Sequence, residues 1–254
     1  MLLIAAGLAT WLALAAWSWR VYANPRAKGD IISGIVWDFL RLYSRIFHGM
    51  TVRGKQHIPP HARIDGRPVI VVSNHSAGVD PILIQSSLPW FVRWLMAADM
   101  QGSGLTPLWQ FVDVILIDRT GKPDMAAIRA AIHTLATNHA TIDDPRDQGS
   151  DHAQIRHPQS VGIFPEGRLR RTPTELNPFL PGVGLLVCRS KAIVLPVVIR
   201  GTPFASQSWG SLIHPSRSTL EYHAPIDYAA LGTKPGDIAA DLESRYRAWM
   251  SQPL

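Results

Sequence analysis

The chain has 254 residues, a formal net charge of +6 at pH 7 and a single cysteine, Cys188. That length buries a full core as one α/β unit, and a lone thiol excludes both a disulfide framework and a thiolate metal centre. The basic balance favours an anionic partner, whether nucleic acid, a lipid headgroup surface or a phosphorylated metabolite, and charge alone does not choose among them.

In chain order, the first feature is Leu2 to Trp19, which carries no charged residue. As a helix, ~18 residues span roughly 27 Å, close to the hydrocarbon thickness of a bilayer. No Lys or Arg precedes this run, whereas Arg20, Arg26 and Lys28 follow it, with Trp17, Trp19 and Tyr22 at interface depth. That order argues against a signal peptide. It predicts a membrane helix, with the rest of the chain on the cytoplasmic side of the cell inner (cytoplasmic) membrane. The next segment, Asp30 to Phe47, sets Ile32, Ile35, Val36, Phe39, Tyr43 and Ile46 at helical spacing, with Asp38, Arg41 and Arg45 opposite. Two readings fit it equally: an amphipathic helix lying in the membrane interface, or a helix facing the core. The expected division is residues 1–48 as an N-terminal membrane-associated two-helix segment and residues 49–254 as an α/β domain.

Within that domain, "GMTVRG" predicts a short strand and "PVIVVSN" (68–74) a buried one. Asp80-Pro81 opens a short helix. Strands follow at 91–97 and 114–118, with a helix "TPLWQFV" between them, and a helix over "PDMAAIRAAIHTLATNH" carries Met125, Ile128, Ile132 and Leu135 in register. Residues 141–159 lack periodicity, which marks a long loop. "VGIFPEG" is a strand entering a turn, "GVGLLVCRSK" a helix that buries Cys188, "IVLPVVI" and "STLEYH" strands, and "DIAADLESRYRAWM" a closing helix. Strands alternating with helices predict a mixed, largely parallel sheet flanked by helices.

Polar side chains gather at four predicted strand ends, where functional groups of open α/β sheets collect. "SNHSAGVD" places His75 five residues before Asp80. A neutral imidazole serves as a general base near working pH when a carboxylate holds its other nitrogen. The competing reading makes Asp80 an N-cap, Pro81 the N1 residue and His75 a turn residue. "IDRTGKPD" offers Asp118, Arg119 and Lys122, and "FPEGRLRR" offers Glu166, Gly167, Arg168, Arg170 and Arg171. Forked guanidinium groups at such positions suit a phosphate, while the plainer reading is a solvated patch or a face toward anionic lipid. "VLPVVIRGTP" is the fourth end.

Together these motifs resemble the glycerolipid acyltransferases, the family that includes lysophosphatidic acid acyltransferase. "NHSAGVD" is similar to the family's N-H-x-x-x-x-D signature, "ILIDR" to its second motif, "FPEG" to the start of its third and "VLPVVI" to its fourth. "PFLPGVGLL" (178–186) looks like the segment that follows the third. The resemblance covers roughly residues 50 to 200. It implies transfer of a fatty acyl group from acyl-CoA or acyl carrier protein to the sn-2 hydroxyl of lysophosphatidic acid, giving phosphatidic acid. His75 would be the general base and Asp80 its orienting partner. Arg119, Lys122, Glu166, Gly167 and Arg168 or Arg170 would bind the glycerol phosphate, and Pro196 would shape the acyl-donor side. Trp109, Phe111 and Phe179 are candidates for an apolar cleft. The resemblance implies neither a metal nor a cofactor beyond the acyl-thioester co-substrate. The N-terminal segment makes the membrane a partner, and that segment together with basic residues set at strand ends beside an acid argues against nucleic acid. The chain departs from the family's F-P-E-G-T-R-S, with Arg168 and Leu169 at the Thr and Arg positions, and Ala97 and Ala98 stand where a lysine often precedes the second motif. Those departures leave open another lysolipid, or an amino-acid-derived lipid, as acceptor. Two further readings also stand: a hydrolase or ping-pong transferase using Ser73 or Ser76 as a nucleophile activated by His75, and a non-catalytic basic protein of the membrane surface.

Overall fold

The computed structural model describes residues 10–19, 31–100, 112–118, 124–137, 159–170, 175–203 and 208–253. Helix α1 (Ile31–Ile46) leads into β1 (Thr51–Arg53), a two-residue β2 (Arg63–Ile64) and β3 (Arg67–Ser73). Then come α2 (Asp80–Ser87), β4 (Phe91–Ala97), β5 (Ile115–Ile117), α3 (Met125–Thr137), β6 (Gln159–Ile163), α4 (Gly182–Ser190), β7 (Ile193–Arg200), β8 (Thr219–Tyr222) and α5 (Pro235–Ser251). The strands order as β1-β8-β7-β3-β6-β4-β5, with β2 paired to β3 off that path. Every pairing on the path is parallel except β7 with β8. This is the mixed, largely parallel sheet that the alternation of strand and helix signals predicts.

Side chains alternate across each strand, so β3 and β7 feed two cores. Ile70, Val72, Val194 and Val198 face α3, α4 and α5, where Leu135, Leu186, Leu242 and Tyr246 meet them. Val69, Val71, Leu195 and Val197 face α2, against Val79, Leu83 and Ile84, with Tyr43 of α1 packed alongside. Both faces of the central strands are covered, which is why β3 and β7 read as continuous β-branched runs without polar alternation. Cys188 is half-buried against the first of these cores.

Most of the apolar stripe of α1 faces away from the core. Ile32, Ile35, Phe39, Leu42 and Ile46 are exposed, while Ser33, Gly34, Trp37 and Ser44 turn inward, Trp37 meeting Phe91 edge to face. Small residues on the inner face let the helix lie close to the body; of the predicted stripe, Tyr43 packs against a core, whereas Ile32, Ile35, Phe39 and Ile46 point outward. Among the described residues no helix is long and apolar enough to cross a membrane. Residues 10–19 are helical, and the first part of the predicted 2–19 span lies outside the described residues.

Pro196 sits inside the sheet, opposite Val72 in the β3–β7 register, where it has no N–H to give to the ladder. The hydroxyl of Tyr246, fully buried on α5, enters that gap: it donates to the Val72 carbonyl at 2.7 Å and accepts the Val197 N–H at 3.1 Å.

Candidate active site

β3 and β6 are neighbours, with Val72 opposite Ile163, so the segments leaving their carboxyl ends emerge side by side. One carries His75 and the other Phe164 to Arg170. The β3–β7 register ends at Ser73 opposite Val197. Beyond it the Asn74 side chain acts as a surrogate peptide: its Nδ2 donates to the Ile199 carbonyl at 2.8 Å, and its Oδ1 accepts the Ile199 N–H at 2.9 Å. With Asn74 clamped to β7, the main chain turns out of the sheet and delivers His75 to the strand end.

His75 Nδ1 donates to Asp80 Oδ2 at 3.0 Å. The same oxygen accepts the N–H of Ser76 at 2.6 Å and of Ala77 at 2.8 Å. Asp80 is fully buried, whereas the His75 side chain is 18% exposed. Three donors on one oxygen fix the carboxylate and assign the Nδ1–H tautomer, which leaves Nε2 with its lone pair. Among the described residues nothing hydrogen-bonds Nε2.

This geometry corrects the reading of Asp80 as a helix cap. Val79 is the N-cap, Asp80 is the first helical residue, and no side chain caps α2. The Asp80 carboxylate points back into the turn that carries His75, because the amides of Ser76 and Ala77 converge there. The α2 terminus is held in another way, by the Val79 N–H donating to Ser211 Oγ at 3.0 Å.

The third motif braces the same turn from the β6 side. Glu166 Oε1 accepts the His75 N–H at 2.7 Å, and Oε2 accepts the Asn177 N–H at 2.9 Å. Arg170 gives its backbone N–H to the His75 carbonyl at 3.1 Å and its guanidinium to Ser76 Oγ at 2.7 Å. Its Nε lies 3.6 Å from Glu166. Both side chains are almost wholly buried. Burial pushes the Glu166 carboxyl above its ordinary range, opposed by the amide hydrogen bonds and the Arg170 charge, and burial lowers Arg170. Arg168, two residues away, is exposed. It lines an open cavity of ≈ 380 Å³ with Gly167, Asn177, Pro178 and Leu180, and Glu166 at its inner wall. Gly167 turns the chain here at φ 66°, in the left-handed region that glycine enters without cost.

Arg119 and Lys122 lie outside the described residues, as do Arg171, Trp109 and Phe111. The N–H of Asp118 donates to Asp124 Oδ2, whose other oxygen accepts the first amides of α3; those hydrogen bonds hold the Asp124 carboxyl below its ordinary range. Phe179 packs edge-on to Tyr246 in the α3–α5 core. Pro196 alternates onto that same face of β7, away from the Val197 side that joins the His75 loop's core.

The serine reading fits this geometry poorly. Ser73 Oγ is buried and donates to the Asn74 carbonyl, and Ser76 Oγ is engaged by Arg170. Among the described residues no hydrogen bond joins His75 to either hydroxyl, as an activated nucleophile requires.

Fold and site together define an α/β protein with a hydrogen-bonded His–Asp pair at the carboxyl end of its central strand. The Acyltransferase family model matches residues 49–200, and the chain belongs to that family. It is 26% identical over 214 residues to 1-acyl-sn-glycerol-3-phosphate acyltransferase alpha of Mus musculus, a match covering 81% of this chain and 64% of the mouse protein. The crystal structure of the 1-acyl-sn-glycerophosphate (LPA) acyltransferase PlsC from Thermotoga maritima superposes with a TM-score of 0.59 at 18% identity. That match covers 87% of this chain and 81% of the other, and it speaks for the shared fold.

Proposed function

We propose that this protein transfers a fatty acyl group from an acyl thioester, on coenzyme A or acyl carrier protein, to the sn-2 hydroxyl of lysophosphatidic acid. The observation that carries the reading is His75, its Nδ1 fixed on Asp80 and its Nε2 unengaged at the strand end. As the acceptor hydroxyl attacks the thioester carbonyl, Nε2 takes its proton. The tetrahedral intermediate then expels the thiolate, which recovers that proton from the imidazolium, leaving an ester and a free thiol. Asp80 stabilises the imidazolium between the two transfers, and no acyl-enzyme forms.

Within this reading Arg168 takes the acceptor's phosphate and Arg170 does not. Arg168 is exposed on the cavity beside Glu166, whereas Arg170 is committed to Ser76, His75 and Glu166. The Glu166 carboxylate is a brace for the His75 turn and not a phosphate ligand, since both oxygens already accept amides and its charge would repel the anion. Arg119 and Lys122 keep the supporting phosphate role that the family resemblance gives them. The outward stripe of α1, flanked by Arg41 and Arg45, supports docking on an anionic cytoplasmic membrane, where the lysolipid acceptor resides.

The test is an assay of the full chain, in vesicles, against a panel of lysolipid acceptors with both donor types. Wild type is expected to prefer lysophosphatidic acid, and His75→Ala to lose at least about 10³ in turnover while staying folded and membrane-bound. Near-normal turnover in His75→Ala would overturn the mechanism.

A further inference from the structure

Phe164 lies flat against His75, with ring centroids 4.0 Å apart and planes 14° from parallel. Trp94 lies flat against Phe164 on its other side, at 4.8 Å and again 14°. The pile depends on a glycine. Trp94 stands opposite Gly162 in the β4–β6 register, and Gly162 shares a sheet face with Phe164 two residues on. A methyl group at Gly162 would come within 2.5 Å of Trp94 Cε3, so only a bare Cα lets the indole lie across β6 and reach Phe164.

With Cγ tied to the backbone, the single hydrogen bond to Asp80 still tolerates rocking of the ring about its Cβ–Cγ bond. A face contact removes that freedom. The electron-rich face of Phe164 also attracts the positive charge that His75 carries once Nε2 is protonated. We propose that Phe164, backed by Trp94 over Gly162, is a positioning residue that fixes the imidazole plane of His75 and stabilises its imidazolium. This rests on the reading of His75 as the general base. Asp80 and Phe164 then have complementary roles, since the carboxylate sets the tautomer and the direction of Nε2 within the ring plane, and the aromatic face sets the plane.

The test compares full-length wild type with Phe164→Leu, Phe164→Tyr, Trp94→Leu and His75→Ala, measuring kcat and both KM values. The ring-proton resonances of His75, identified by their loss in His75→Ala, report the stack through ring-current displacement. Phe164→Leu is expected to lower kcat by about 10-fold to 10²-fold, leave both KM values within about twofold and abolish the displacement. Phe164→Tyr keeps the face, so it is expected to retain both the displacement and most of kcat. Should Phe164→Leu fail to fold, Trp94→Leu carries the test, with a smaller fall in kcat and a reduced displacement. A leucine variant that loses the displacement but keeps wild-type kcat would overturn the proposal, as would a tyrosine variant as impaired as the leucine one. The two failures are distinguishable. Turnover surviving in His75→Ala overturns the general-base reading, whereas an inactive His75→Ala beside a fully active Phe164→Leu overturns the role of the stack alone.

Discussion

Asn74 grips the backbone of Ile199 through both atoms of its side-chain amide, extending the β3–β7 ladder one step after the main chain of β3 has left it. The strand end is thereby anchored at the residue before His75, and a donor and an acceptor are both needed. In Asn74→Asp the acceptor to the Ile199 N–H survives, but a carboxylate faces the Ile199 carbonyl where a donor stood. In Asn74→Leu both Ile199 groups lose their partner in a buried site. Each unmade bond costs ~1–3 kcal/mol, and a buried carboxylate facing a carbonyl adds a desolvation cost, so both variants are expected to be less stable than wild type in urea denaturation. Both are expected to lower kcat by more than tenfold, and equal stability to wild type in either would show that the clamp does not hold the strand end.

Glu166 spans the third motif, the His75 turn and the Asn177 loop with one carboxylate, and its loss would also strand the buried guanidinium of Arg170. Breaking such a pair from one side typically costs ~3–5 kcal/mol. Glu166→Ala is therefore expected to destabilise the fold by about that amount and to lower kcat. Glu166→Gln keeps one acceptor oxygen but sets an NH₂ against a backbone N–H, so its effect should be intermediate. Thermal denaturation and steady-state kinetics check both. A change confined to the KM of the acceptor would instead put Glu166 on the substrate's phosphate.

Gly162→Ala probes the aromatic pile without touching any ring. The added methyl meets the Trp94 indole in a filled core, and overpacking of this kind costs ~1–3 kcal/mol. The expected result is a lower melting temperature with a change in tryptophan fluorescence. An alanine variant with wild-type stability would mean that Trp94 has another place to go.

The sheet was legible in the sequence wherever burial on both faces forces an unbroken β-branched run, as in β3 and β7, and four ordered motifs carried the family. Local pattern failed where a tertiary demand outweighed it. Asp80-Pro81 looks like a cap because Asp usually caps, but the convergent amides of Ser76 and Ala77 and the Nδ1 of His75 took its carboxylate instead. The stripe of α1 has the same period whether it faces a core or a surface, so periodicity could not orient it. Arg170 reaches Ser76 across 94 positions and Tyr246 reaches Val72 across 174. Neither partnership leaves a local signal. Only the lack of an N–H at Pro196 hinted that something must fill the ladder beside it.

Tyr246→Phe tests that filling. The ring stays and the hydroxyl goes, leaving the Val72 carbonyl and the Val197 N–H without this partner inside a dry sheet. The loss is expected to be ~1–3 kcal/mol, read from urea midpoints, with a fall in kcat because Val72 is three residues from His75. Burial holds the phenol well above its ordinary range, so the hydroxyl remains a donor throughout the working pH range. A phenylalanine variant as stable as wild type would show that the ladder closes over the gap unaided.

The last prediction concerns pH. His48 is fully buried, bonded through Nε2 to Tyr43 Oη and through Nδ1 to Ser216 Oγ, both at 2.8 Å. Burial lowers its pKa from the ordinary 6.5. Below pH 6.5 the unfolded chain therefore binds a proton that the folded chain resists, and stability falls as pH drops through that window. His223, also lowered by burial, acts in the same direction. Glu166, raised above 4.5, acts in the opposite one, because there the folded state holds the extra proton. Comparing variants isolates the His48 part. The urea midpoint of wild type is expected to fall between pH 7.5 and pH 5.5 by more than that of His48→Gln, which cannot take a proton. His48→Gln should start lower at pH 7.5, having disturbed a buried hydrogen-bond pair, and lose less thereafter. Parallel slopes for the two proteins would show that His48 contributes nothing to the acid sensitivity of the fold.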